Sequence, residues 1–306
     1  MILYVIRPAV PPETTATCSR AACRPGSPPA RAETAEDAAF LAGAALSALQ
    51  LVLAQAGVPS CACAGAPRAQ RGGGQCDPRR AHSNALANLR DEVHLLRPGD
   101  HTGPAGAVFA LWRQAVAKPI SVGALHTVLP GMAAFDIATW LDTGQGAPVA
   151  RACAVFEAVR TVHPRAEDAA LILADAVLAQ AMGGTMLMPL LGAHLTARDL
   201  RKSGADLRVA GYAAVRKAAA ETLTLSQDLR DRAAKLIAIA PKLRAKGSAA
   251  AVDLFLTRDA LSPSLALTGP GVGMSDRAAR RLCDRLVEID VVRELSGRDT
   301  FRLYGI

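Results

Sequence analysis

The chain has 306 residues and a mass of 31.7 kDa, room for one large domain or two smaller ones. Hydrophobic residues make up 51% and aromatics only 4%, which excludes a chain disordered throughout and, with alanine dominating the apolar share, favours helix packed on helix. The net charge is +8, and the apolar run Met1 to Ile6 is too short for a secretory signal, so the expectation is a cytoplasmic protein.

Residues 1–31 are rich in Pro, Ala and Arg without periodicity and predict a disordered segment. Order begins at Thr34, which with Asp37 three residues on resembles a capping box. The helix that follows should run to about Ala56, ended by Gly57 and Pro59. It lies in the longest uncharged stretch, Ala38 to Pro67. Its alanines, Gln50 and Gln55 would drive bilayer insertion weakly, so a core helix is expected and no membrane partner.

Residues 59–83 predict an irregular loop. The seven cysteines are an odd number, with no export signal to suggest a disulfide framework. Cys61, Cys63, Cys76 and His82 would be the donors of a zinc site. Their spacing departs from the usual pairs two to four residues apart, so incidental thiols in a loop are the reading taken, with no metal and no cofactor.

Further helices are predicted over Asn84–Leu96, Ala105–Lys118, Val122–Leu129, Ala133–Leu141, Val149–Val162 and Ala166–Met182. The last two form an antiparallel pair across His163-Pro164. Trp112 and Trp140 fall on apolar stripes and should be core, as should Met182, Met186 and Met188. His94, Asp100 and His101 flank a turn and read as structural. Thr196 caps a short helix to Lys202. Asp206–Ala240 is long and amphipathic, with Asp228, Arg230, Asp231 and Arg232 assigned to its solvated side. Residues 32–240 therefore read as one all-α helical array.

The pattern changes over 241–306. Ala249–Arg258 predicts a short helix and Leu261–Gly273 a turn-rich connector. Ser275 then caps a helix with Ala278, Leu282, Leu286 and Ile289 as its apolar stripe. Arg277, Arg280 and Arg281 share a face away from that stripe. Strands are predicted over Val291–Leu295 and Thr300–Tyr304, joined by the turn Ser296-Gly297-Arg298-Asp299. Helix, turn, helix and hairpin is the plan of a winged helix. A helix so placed enters the DNA major groove, where its arginines reach phosphates and guanine edges. The candidate DNA-binding residues are Arg277, Arg280 and Arg281 on the helix, with Arg298 and Arg302 on the wing. The net charge of 242–306 is only +3, so a protein-docking winged helix is the competing expectation.

The segments Glu33–Leu46, Leu96-Arg-Pro-Gly-Asp-His-Thr-Gly-Pro-Ala-Gly106, Ala240-Pro-Lys-Leu-Arg-Ala-Lys-Gly247, Met274-Ser-Asp-Arg-Ala-Ala-Arg-Arg-Leu282 and Arg293–Gly305 resemble the bacterial family called domain of unknown function 1403. The resemblance runs from about Thr34 to Ile306, with Pro59 to Ser83 departing from it. It implies a helical protein of no assigned activity and brings no catalytic residues.

Enzyme signatures fail across the chain. There is no phosphate-binding Gly-x4-Gly-Lys motif, no His-Glu-x2-His and no Gly-x-Ser-x-Gly elbow. The expectation is a non-enzymatic, double-stranded DNA-binding protein with a regulatory or mobile-element accessory role. The alternative is a scaffold that docks a protein partner or a second copy of itself.

Overall fold

The computed structural model describes residues 34–54, 101, 103–143, 146–258, 260–296 and 302–306. The expected disordered start, the helix at 84–96, Cys61, Cys63, Cys76, His82, His94 and Arg298 lie outside the described residues. The fold is all-α with one small hairpin near residue 300, as expected.

Helix α1 spans Ala35–Ala54. Its capping box is formed: the Thr34 amide donates to Asp37 Oδ2 at 3.0 Å and the Asp37 amide to Thr34 Oγ1 at 3.1 Å. Ala38, Ala42, Leu46 and Leu49 fall on one face and are buried. The helix then gives way to α2 (Pro104–Val116), α3 (Val122–Val128) and α4 (Ala134–Asp142). Pro104 opens α2 because a first-turn proline lacks only an amide hydrogen that the helix would not use. Ser121 caps α3 through Oγ, which accepts from the Ala124 amide.

Helices α5 (Pro148–Val162) and α6 (Glu167–Ala181) pack together across the short turn at His163-Pro164. Ten consecutive residues of α6, Ala170 to Ala179, are buried. A helix buried on every side has no room for a polar stripe, and this one is Ala, Leu, Ile and Val throughout except for Asp175. The Asp175 carboxylate accepts from the amides of Leu191 and Gly192 at 2.8 and 2.9 Å. Those amides open α7 (Leu190–His194), so a buried acid satisfies donors that the helix start leaves free. Gly192 is required there, since a Cβ would collide with the Trp112 ring and stand 3.2 Å from Asp175 Oδ2.

Thr196 and Asp199 cap each other reciprocally ahead of a single 3-10 turn, Asp199–Arg201. Helix α8 then runs 36 residues, Gly204–Ile239, a length of about 54 Å. Its first two-thirds belong to the main core, with Leu207, Val215 and Ala219 fully buried beside Trp112, Leu171 and Leu191. Leu236 belongs to a second core with Phe255, Leu267, Leu282, Cys283 and Tyr304. One helix therefore passes through both.

The charge cluster of α8 departs from expectation. Only Asp231 of the four is exposed. Arg232 is 7% exposed, and its guanidinium donates to Asp228 Oδ1 at 3.3 Å and to both the carbonyl and Oδ1 of Asp290 at 3.2 Å. Arg230 reaches the Val52 carbonyl at the end of α1. These charges are taken out of solvent by α1 on one side and by the C-terminal residues on the other, contacts that helical periodicity does not reveal.

Beyond a 3-10 turn at Ala240–Lys242 come α9 (Ser248–Thr257), a π-helical turn at Pro263–Leu267, α10 (Asp276–Glu288), β1 (Arg293–Glu294) and β2 (Tyr304–Gly305). The strands are antiparallel, with Arg293 opposite Gly305 and Glu294 opposite Tyr304. Leu261 and Tyr304 exchange both backbone hydrogen bonds, at 2.8 and 2.9 Å, on the other side of β2.

Candidate nucleic-acid interface

Helix α10 is fastened at both ends. Ser275 Oγ accepts from the Ala278 amide at 3.3 Å. Met274 before the cap and Ala279 in the second turn are both buried in the second core, a hydrophobic staple. At the far end the Asp290 amide donates to the Val287 carbonyl and the Val291 amide to the Leu286 carbonyl. With Asp290 at φ +52° this is a Schellman motif, and the buried pair Leu286 and Val291 supplies its apolar contact.

The inner face is Ala279, Leu282, Cys283 and Leu286. This shifts the expected stripe by one residue at its start: Ala278 is half-buried and Ile289 is 44% exposed, because the helix ends at Glu288 and the chain turns at Asp290. Burial pushes the Cys283 thiol up to about 12.

The outer face carries Arg277, Arg280, Arg281, Asp284, Arg285 and Glu288, all exposed. Arg280 is turned to Asp276, one helical turn back, at 3.0 Å. Among the described residues Arg277, Arg281 and Arg285 make no ion pair, and they stand four residues apart along one line of the helix. Arg285 was absent from the sequence-based set. Its spacing from Arg281 was the signal that could have found it.

Arg302 does not project freely from the hairpin. The Tyr304 side chain and the Glu294 carboxylate, 3.6 Å away, hold its pKa above the ordinary arginine value. Helix α10 is in contact with β1, and the Asp284 carboxylate also raises the Arg302 and Tyr304 pKa values. The expected strands are shorter than predicted. Val291 and Val292 complete the end of α10 by bonding to the Leu286 carbonyl, so β1 begins only at Arg293. Pairing continues past β1, with the Leu295 amide donating to the Leu303 carbonyl at 2.7 Å and the Leu303 amide to Ser296 Oγ at 3.1 Å. Arg293 reaches α8 and binds both carboxylate oxygens of Asp228 at 3.0 and 3.1 Å.

Elsewhere, the described residues hold no group of three or more His, Cys, Asp or Glu placed to bind a metal. Among the described residues two concavities are open and shallow, one against Ala138, Thr139, Asp142 and Thr143, the other against the turn from Val162 to Ala166. Among the described residues one helical stretch, Ala35–Val52, is long and apolar enough to cross a membrane by length and composition.

A search of curated proteins finds no match to this chain. The family described as protein of unknown function DUF1403 matches residues 12–306, nearly the whole chain, and its reach includes both cores and the helix with the arginine face. The protein belongs to the DUF1403 family.

Proposed function

We propose that the chain acts by binding double-stranded DNA, with its C-terminal residues as a winged helix and α10 in the major groove. The observation that carries this reading is the line Arg277, Arg281 and Arg285, exposed and, among the described residues, without an ion pair, on a helix pinned at both ends. A rigid helix presenting guanidinium groups at one-turn spacing suits the phosphates and guanine edges of a groove. The order of elements supports it: helix α9, a strand residue at Leu261, the turn Pro263–Leu267, α10, then the hairpin. Leu261 pairs with β2 rather than β1, which closes a minimal three-stranded edge behind α10.

Two pairs favour the second reading, a protein-docking surface: Arg280 with Asp276, and Arg302 with Glu294. An exposed pair one turn apart is worth only about 0.3–0.5 kcal/mol, so a phosphate can displace it.

The test is a salt titration of binding to a random-sequence duplex, wild type against Arg277→Ala/Arg281→Ala. DNA contact predicts that the double variant lowers the slope of log K against log salt by about 1.8, roughly 0.9 for each phosphate no longer neutralised. An unchanged slope favours protein docking.

A further inference from the structure

A second basic element lies next to the start of α10, and helix periodicity does not bring it to notice. Lys242, Arg244 and Lys246 alternate through the turn that precedes α9, and all three are exposed. Among the described residues none of them makes an ion pair.

The turn that carries them is closed on itself. The Ser248 amide donates to the Ala245 carbonyl, and Ser248 Oγ to the Leu243 carbonyl, both at 3.0 Å. Leu243 packs against the second core, and Ser248 is itself buried. Gly247 adopts φ +84°, and a Cβ there would collide with the carbonyl oxygen of Val272. Val272 lies in the connector three residues before Ser275, the cap of α10. The backbone of the basic turn is therefore in contact with the segment that leads directly into the arginine helix. Only glycine allows so close an approach in that conformation.

We infer that Lys242, Arg244 and Lys246 form a pre-set phosphate-contact turn, which grips the DNA backbone beside the start of α10 while that helix occupies the groove. The inference rests on the DNA-binding reading above and extends it to a second group of residues. Three features argue for phosphate rather than base edges as the ligand. The charges sit on a short turn rather than on a helix that could enter a groove. Two of the three are lysines, which act as point charges on phosphate. The turn is anchored at Leu243 and Gly247, so little freedom is lost when its cations meet a fixed array of anions.

The experiment is the same titration on the full chain with a random-sequence duplex, now comparing three proteins: wild type, Arg244→Ala/Lys246→Ala, and Arg277→Ala/Arg281→Ala. Neither double variant touches a buried residue, and circular dichroism checks that each is folded. The inference expects the turn variant to lower the salt slope by about 1.8, much as the helix variant does, with the drop equal on unrelated duplexes. If only the helix variant lowers the slope, the turn does not contact DNA, and the inference is overturned while the groove reading stands. If only the turn variant lowers it, the groove reading fails and the turn remains a phosphate site. If neither does, both are wrong. A Gly247→Ala variant separates geometry from charge: it removes no cation, and a reduced slope in that protein shows that the turn must be held against Val272 to work.

Discussion

Two cysteines show how burial sets chemistry at the residue scale. Cys153 faces Gly211 of α8 and Cys283 faces the second core, and burial is the first cause that pushes both thiols up to about 12 from an ordinary 9.0. In the unfolded chain they would ionise near the ordinary value. Between about pH 9 and 12 the unfolded state therefore binds fewer protons than the folded one, and stability falls as pH rises. Below pH 9 their contribution is fully present. Each thiol should remove about 1.4 kcal/mol of stability per pH unit in that window, which urea unfolding at pH 8, 9.5 and 10.5 can measure for wild type against Cys153→Ala/Cys283→Ala. The double variant should have the flatter profile. The same burial predicts that iodoacetamide at pH 8 leaves both positions unmodified until denaturant is added, as peptide mapping would reveal.

At the scale of elements, the end of α10 joins a backbone device to an ionic one. Asp290 sits at φ +52°, a left-handed conformation that Asp, like Asn and Gly, tolerates but that costs other residues about 1–2 kcal/mol. It is held there by Arg232, and Lys235 lies 3.9 Å from its other oxygen. Asp290→Ala should take on that backbone cost and leave the buried guanidinium with one carboxylate fewer, lowering stability by about 2 kcal/mol. Asp290→Gly avoids that cost and loses only the carboxylate, and should lower stability by about 1 kcal/mol or less. Urea unfolding of the two variants separates the contributions, and equal effects would show that the positive φ carries no strain. The same elements show what was legible in the sequence. The caps at Thr34, Thr196 and Ser275 depend on residues three apart, and all three are formed as expected. The arginine face of α10 follows from periodicity and was likewise visible. The burial of Arg232 depends on Asp290, 58 residues away, and the Leu261 pairing on Tyr304, 43 residues away; no local pattern encodes either. Periodicity showed that α8 is amphipathic, but not that its charged side has a partner.

At the scale of the whole molecule, α8 is the member shared by the two cores. Leu236 is fully buried in the second, while Leu207, Val215 and Ala219 are fully buried in the first. A chain cut at Pro241 would leave Leu236 and Ile239 without the residues they pack against, so point variants are the better probes of the C-terminal residues. A continuous helix also couples the cores, because melting one end exposes the apolar face of the other. Trp112 and Trp140, at 0% and 6% exposure, report on the first core, and alkylation of Cys283 reports on the second. The two probes should give one common urea midpoint. Leu236→Ala, which empties a buried site at a cost of about 2–5 kcal/mol, should move both midpoints together. Two separate transitions would show that α8 frays between the cores.

That shared helix turns the tryptophans into remote sensors. Any molecule that binds the folded second core but not the unfolded chain adds to the stability of the coupled unit by mass action, about 2.7 kcal/mol at a hundredfold excess over its dissociation constant. The added stability would be felt at Trp112, which need not touch the ligand. A rise in melting temperature read from tryptophan emission would therefore register duplexes, peptides or small molecules alike, and would rank them without a label on any of them.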